Sequence, residues 1–306
     1  MTEKWALVTG ACVNTGAAIV EKFAREGVNV IFTGRSEDRV TRAEENYKSK
    51  FSNVKIIGKT LNALNENGEV DEKSAVDLFL WLDNSGITIT DLVLNAADLG
   101  VGFNVFESPL KDFQKVINVN VVWNFCLIQN AAKRMVKNGG GSITFINSNT
   151  AYRAIPERAA YSSSKGGQLG LMRALALDLG KYKIRVNAVL PGMIHTDRTD
   201  KNPEFYKKVP SAFSPLGTIA EGADIADAVW YFVAHANVYG GLKALKALSA
   251  PFPQVKFIPT GGIDLTNLKE FLQSDKIFAV GGSFMMKGDI TENCKKACEI
   301  LNEVEL

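Results

Sequence analysis

The chain has 306 residues, enough for one large domain or two small ones. Apolar residues make up 46% and charged residues 22%, which excludes disordered, collagen-like and disulfide-stapled classes. Lys plus Arg number 35 against 33 Asp plus Glu, so the net charge of +2 gives no electrostatic footing for nucleic acid or an anionic membrane.

The opening stretch MTEKWALVTG runs straight into a strand pattern, so no secretory leader is expected. No apolar run approaches the roughly 18 residues that a membrane span requires. Short β-branched runs at Trp5–Val8, Val28–Thr33, Val54–Ile57, Leu92–Leu94, Ser142–Ile146 and Ile184–Leu190 read as strands. Helical patterns lie between them, near 16–26, 37–49, 72–83, 111–136 and 160–179. Strands that are apolar without alternation are buried on both faces, and strand–helix alternation builds a parallel sheet with right-handed crossovers. The expected fold is therefore α/β, a Rossmann-like doubly wound parallel sheet. In such a sheet ligands bind beyond the carboxyl ends of the strands.

The first such end is Thr9-Gly10-Ala11-Cys12-Val13-Asn14-Thr15-Gly16, a glycine-rich turn opening a helix. Unpaired backbone N–H groups there face an anion, and a dinucleotide pyrophosphate is the usual guest. A tight strand–helix turn is the plain alternative. The second strand ends Thr33-Gly34-Arg35-Ser36, with no acidic residue for a ribose 2′-hydroxyl. Arg35 and Ser36 suit a 2′-phosphate, which favours NADP(H) over NAD(H). The four cysteines, Cys12, Cys126, Cys294 and Cys298, lack zinc-ribbon spacing, and His195 and His235 are the only histidines. No metal site is expected, Cys294 and Cys298 read as residues one turn apart on a helix, and a reducing, cytoplasmic setting fits.

Tyr161-Ser162-Ser163-Ser164-Lys165 opens a helix, and a spacing of four puts Tyr161 and Lys165 on one face. A phenol titrates near 10, so acid–base work at neutral pH needs several kcal/mol of preference for the phenolate, of the kind an ammonium and hydrogen bonds supply. Ser148 follows a strand thirteen residues earlier, and Asn120 lies in the preceding long helix.

Together with the glycine-rich turn, these residues resemble the short-chain dehydrogenase/reductase family from about Lys4 to about Tyr239. The resemblance is carried by VTGACVNTG, TGRS, LVLNAA, VINVNVVWNF, GSITFINSNT, YSSSK, IRVNAVLPGMIHTD and SPLGTIAEGADIADAVWYFVA, in that order. It implies Tyr161 as the general acid, Ser148 as a hydrogen-bond partner of the substrate oxygen, and Lys165 as the residue that binds the nicotinamide ribose and depresses the phenol pKa. Asn120 would hold a water linking Lys165 to solvent. Gly10, Cys12, Asn14, Thr15, Gly16, Arg35, Ser36, Asn62, Asn95 and Ala96 would line the adenosine and pyrophosphate side of NADP. Pro191, Gly192 and Thr196 would meet its nicotinamide end. Three positions depart from the pattern: Asn14 stands for a glycine, Ala97 for another, and Asn62 for an acidic residue. Asn is the best substitute for Gly in a left-handed conformation.

After Tyr239 this resemblance stops, so the expected domains are 1–239, a dinucleotide-binding and catalytic unit, and 240–306, a tail packed on the same sheet. From about Gly240 to Leu301 the tail resembles the C-terminal part of 2-keto-3-deoxy-phosphogluconate aldolase. Pro259-Thr260-Gly261-Gly262 and Gly281-Gly282-Ser283 look like its two phosphate loops, although bare Gly-Gly turns are the favoured reading. The fragment begins after the aldolase's Schiff-base lysine and glutamate, so no aldolase chemistry is expected. Val255–Ile258 is expected to replace the missing last strand beside Ile184–Leu190, with Ile277–Val280 extending the edge and helices near 242–249, 265–273 and 291–302. A separate βα subdomain is the competing arrangement.

The expected function is hydride transfer between NADP(H) and a small carbonyl or alcohol substrate, such as a sugar acid or a 3-oxoacyl thioester. The alternative is a non-catalytic nucleotide-binding fusion whose pocket the exchanged tail disrupts. Leu99–Leu110 and Thr196–Ser214 would form a substrate lid holding Phe103, Phe106, His195, Arg198, Lys201, Phe205 and Tyr206. The family resemblance implies a homodimer or homotetramer.

Overall fold

A computed structural model describes residues 3–201, 214, 217–233, 263–275, 277, 280 and 288–304. Six strands form one parallel sheet: β1 Trp5–Val8, β2 Asn29–Gly34, β3 Ile56–Thr60, β4 Ile89–Leu94, β5 Gly141–Ile146 and β6 Ile184–Val189. Their order is β3-β2-β1-β4-β5-β6, so the strand order reverses between β1 and β4. The helices are α1 Asn14–Arg25, α2 Glu37–Lys50, α3 Glu72–Asn84, α4 Leu110–Ile117, α5 Trp123–Lys137 and α6 Ala159–Gly180, followed by α7 Asp197–Asp200 and α8 Gly222–Val233. All six expected strands and the five expected helical stretches are present.

Several boundaries moved, β4 among them, which starts at Ile89, three residues before the expected Leu92. β3 runs two to three residues later than its apolar run, because Ile56–Thr60 lies in register with Val30–Gly34 and an edge strand tolerates the polar Lys59 and Thr60. The stretch expected as one helix over 111–136 is continuous but contains a π turn at Asn118–Val122 between α4 and α5.

Each strand's apolar side chains feed a core under α3 and α5, including Leu7, Ile31, Phe79, Leu92, Leu127, Ile143 and Val186. α3 starts cleanly because the Asp71 carboxylate accepts the Ser74 N–H at 3.0 Å. α8 lies along α1: Phe23 and Trp230 meet edge to face at 5.5 Å, and Lys22 Nζ is 3.0 Å from Asp227 Oδ1.

The chain divides into two compact units, Met1–Trp230 and Tyr231–Leu306. Within the second, α9 Leu268–Leu272 and α10 Ile290–Asn302 pack around Ile263, Leu268 and Phe271, with Ala297 and Ile300 against them. These helices match the expected stretches near 265–273 and 291–302. The expected strand Val255–Ile258, the helix near 242–249, both Gly-Gly loops, Phe205 and Tyr206 lie outside the described residues, as does the expected boundary at Tyr239. Of Ile277–Val280 only the two end residues are described. No described helix is long and apolar enough to cross a membrane. Among the described residues no group of three or more His, Cys, Asp or Glu gathers to hold a metal.

Candidate functional site

The turn after β1 is built by close backbone approach. Gly10 has φ +63°, and a Cβ there would come within 2.9 Å of Ala96 Cα. A Cβ on Gly16 would lie 2.6 Å from both Ala11 Cα and Gly10 O. Asn14 adopts φ +53°, the left-handed conformation expected of it as a stand-in for glycine, and its Oδ1 accepts the Asp197 N–H at 3.1 Å. Val13 precedes α1 with no side-chain cap, and the first turn of α1 has no acidic residue. The helix therefore presents its N-terminal N–H groups and positive end to the cleft.

Two threonines brace this turn. Thr9 Oγ1 accepts the N–H groups of Asn95 and Ala96, each at 3.0 Å, and Thr33 Oγ1 accepts the Gly10 N–H at 3.3 Å. The Asn95 amide donates back to Thr9 O at 3.0 Å and to Gly10 O at 2.8 Å. Asn95 is thus a clamp between β1 and β4, with its side-chain N–H groups both used.

A cleft of about 1560 Å³ opens at this strand-order reversal. Its walls include Gly10, Cys12, Asn14, Thr15, Gly16, Arg35, Ser36, Asn62, Asn95 and Ala96, ten of the residues singled out in the sequence. Arg39, in the first turn of α2, lines it as well and was not anticipated. A Cβ on Gly34 would meet Cys12 Sγ and, at 2.8 Å, Val40 Cγ2, so the position where a 2′-hydroxyl acceptor would sit is closed to a side chain unless both Cys12 and Val40 shift. Burial raises the Cys12 thiol pKa, against a smaller pull from Arg39. These features fit a dinucleotide: uncapped helical N–H groups for a pyrophosphate, and cations rather than a carboxylate at the end of β2. Pro191, Gly192 and Thr196 are not in this lining. Pro191 O accepts the Asn149 N–H at 2.9 Å, tying the end of β6 to the residue after Ser148, and Thr196 caps α7.

The proton-transfer candidates meet where β5 ends and α6 begins. Ser148 lies just beyond β5, and its Oγ accepts from Thr150 N at 3.2 Å and Thr150 Oγ1 at 3.0 Å. Tyr161 stands in the first turn of α6. Burial raises its phenol above the ordinary value, and a hydrogen bond with Ser148 and the charges of Arg158 and Arg198 pull the other way. Burial outweighs those pulls, so the phenol stands above rather than below its ordinary value. The cation expected to lower it lies one turn on. Lys165 Nζ, 5.5 Å from the Tyr161 ring centre, turns into the protein and donates to Ile146 O at 2.8 Å and Gln168 Oε1 at 3.2 Å. Burial pushes the Lys165 pKa down to about 7.

Asn120 sits in the π turn and is fully buried. Its side chain bridges Asp98 and α6: Oδ1 accepts the Asp98 N–H at 2.8 Å, and Nδ2 donates to Asp98 O and Ser164 Oγ, both at 2.9 Å. Its main-chain oxygen accepts Gln168 Nε2 at 2.6 Å and Asn124 Nδ2 at 2.8 Å. Asn120, Lys165 and Gln168 therefore form one buried network. Gln168 was missed in the sequence; its signal was a polar residue three places after Lys165, on the same helix face.

Residues 4–207 match the family model for short chain dehydrogenases, and residues 217–300 match that for KDPG and KHG aldolases. A 3alpha-hydroxysteroid dehydrogenase of Mediterraneibacter gnavus is 31% identical over 239 residues, 78% of this chain and 93% of the relative. A 3-oxoacyl-acyl-carrier-protein reductase FabG of Aquifex aeolicus is 31% identical over 236 residues, 77% of this chain and 92% of the relative. The crystal structure of L-sorbose reductase from Gluconobacter frateurii, complexed with NADPH and L-sorbose, has the same fold, with a TM-score of 0.70 and 23% identity over 76% of this chain and 91% of that one. With relatives above 30% identity matched along most of their length, the chain belongs to the short-chain dehydrogenase family of oxidoreductases.

Proposed function

We propose that this protein transfers a hydride between NADP(H) and a small carbonyl or alcohol substrate. The observation that carries the reading is the placement of Ser148 just beyond β5 and of Tyr161 in the first turn of α6, one helical turn from a buried Lys165 that reaches back to Ile146 O at the end of β5. Bound nicotinamide supplies the hydride; the chain supplies position and the proton. In reduction, Tyr161 Oη donates its proton to the substrate oxygen while Ser148 hydrogen-bonds that oxygen. Burial keeps the phenol protonated at neutral pH and also makes it a weaker donor, so a cation at the site must lower its pKa for the transfer. Lys165 would bind the nicotinamide ribose, and Asn120 braces the Tyr161 turn of α6 through Ser164 Oγ, which donates to Tyr161 O.

Arg35, Ser36 and the adjoining Arg39 support NADP(H) over NAD(H), since guanidinium groups pair well with a 2′-phosphate. Gly10, Cys12, Asn14, Thr15, Gly16, Asn62, Asn95 and Ala96 would hold the adenosine and pyrophosphate, and Pro191, Gly192 and Thr196 the nicotinamide end. A 3-oxoacyl thioester, a keto sugar acid and an oxosteroid are the substrates to assay first, given the relatives and the aldolase-like tail. A soluble cytoplasmic homodimer or homotetramer accompanies this reading.

The test is NADPH consumption with that panel, run with cofactor titration. We expect turnover that falls by about 10²–10⁴ in Tyr161→Phe, the range of a general acid, with cofactor affinity kept. Unchanged turnover in Tyr161→Phe would overturn the role of Tyr161. Binding of NADPH without turnover on any substrate would favour the non-catalytic nucleotide-binding reading.

A further inference from the structure

The network beneath Tyr161 contains one side chain that neither the proposed chemistry nor the sequence pattern accounts for. Gln168 is 1% exposed, as is Lys165, and Asn120 is 0% exposed. A buried amide is costly unless its groups are bonded, so its bonds define its job. Gln168 Nε2 donates to Asn120 O at 2.6 Å. Gln168 Oε1 accepts from Lys165 Nζ at 3.2 Å and from Asn147 Nδ2 at 3.1 Å. The orientation of this amide is forced. Turned over, it would set N–H against the Lys165 donor and oxygen against the Asn120 oxygen.

We propose that Gln168 is a positioning residue whose amide directly links the Asn120 main chain to Lys165, in the place where the family resemblance implies a water. The proposal rests on the reading of Tyr161 and Lys165 above and adds how Lys165 is held. With Ile146 O on one side and Gln168 Oε1 on the other, two of the Lys165 donors are fixed by the protein. The link is mechanical. An amide carries a proton from one end to the other only by becoming its imidic tautomer, so Gln168 holds Lys165 without relaying protons to Asn120. Asn147, immediately before Ser148, shares the same amide oxygen, so Gln168 also ties the Ser148 strand end to the Tyr161 helix.

The test compares the full-length protein with Gln168→Leu and Gln168→Ala. Leu keeps most of the volume and removes every bond. Ala opens room for water that can bond Asn120 O and Lys165 Nζ together. A packing role ranks Leu above Ala; a linking role ranks Ala above Leu. We expect Gln168→Leu to unfold at lower temperature than Gln168→Ala. We also expect it to lower kcat by about tenfold or more with KM little changed, as loss of a bond to a charged group implies, and to displace the pH–rate profile. Gln168→Ala is expected to keep the wild-type profile and to show, in a crystal structure, a water bonded to both Asn120 O and Lys165 Nζ. Should Gln168→Leu fail to fold, Gln168→Glu decides. A carboxylate beside Lys165 holds its proton to higher pH and moves the alkaline limit of kcat upward, and an unmoved limit overturns the proposal. A Leu variant with wild-type stability and pH profile, or one more stable than Ala, overturns it too. The unfolding and crystallographic arms need no substrate. An absence of turnover in every protein with Ala still ranked above Leu would count against the reductase reading and leave the Gln168 link standing.

Discussion

Tyr161 and Lys165 are each shifted by burial, in opposite chemical senses. Removing the phenol from water disfavours its anion and raises its pKa; removing the amine from water disfavours its cation and lowers it to about 7. The consequence for stability follows from the sign. An amine that titrates at about 7 in the folded protein and at 10.5 when unfolded binds fewer protons folded, so stability rises as pH rises between those values. Lys165→Met removes that rise, which equilibrium unfolding at neutral and alkaline pH checks. Arg35 makes a second prediction at this scale. Arg35→Ala is expected to weaken NADPH by about tenfold through loss of a charge-assisted hydrogen bond, and to leave NADH affinity unchanged, as paired titrations would show. The spacing of Ser148, Tyr161 and Lys165 made the proton-transfer candidates legible in the sequence. Gln168 and Arg39 were not: Gln168 gains its role by also reaching the distant Asn120 O, and Arg39 by where α2 places it in the cleft.

Elements place these residues, and two of them carry local irregularities. The π turn at Asn118–Val122 turns the Asn120 oxygen toward side chains: Asn124 Nδ2 and Gln168 Nε2 both donate to it. Hydrophobic periodicity reads straight through such a turn, since one widened turn hardly alters the apolar stripe of 111–136. The start of α1 was more legible, because glycine at 10 and 16 and asparagine at 14 signal backbone approach and left-handed conformation directly. Gly16→Ala tests the approach. Its new Cβ would lie 2.6 Å from Ala11 Cα, so the turn must open. We expect a loss of about 1–3 kcal/mol in unfolding free energy, the usual cost of overpacking, with NADPH affinity reduced in calorimetric titration.

Across the whole first unit, the sheet separates a stabilising end from a functional one. Asp91 lies toward the amino-terminal side of β4, paired with Ser142 and buried, and its carboxyl pKa is raised to about 6. Burial is the main cause, opposed by a 2.6 Å bond from Thr90 Oγ1 and by Arg185 and Lys4. A carboxyl that titrates at 3.8 unfolded and about 6 folded favours the folded state below the first value and loses that contribution as pH rises through the second. The wild type is therefore expected to lose stability relative to Asp91→Asn between those pH values, measured by denaturant unfolding of both proteins.

Strand and helix identity, the parallel sheet, the glycine-rich turn and the Tyr161–Lys165 face were determined by the sequence alone, because each rests on periodicity or spacing within a few residues. The tertiary structure alone decided that Lys165 turns inward to Ile146 and Gln168, that Asn95 clamps two strands, and that Arg39 joins Arg35 in the cleft. Those outcomes depend on which distant groups burial brings within hydrogen-bonding reach, and no pattern of nearby residues encodes that.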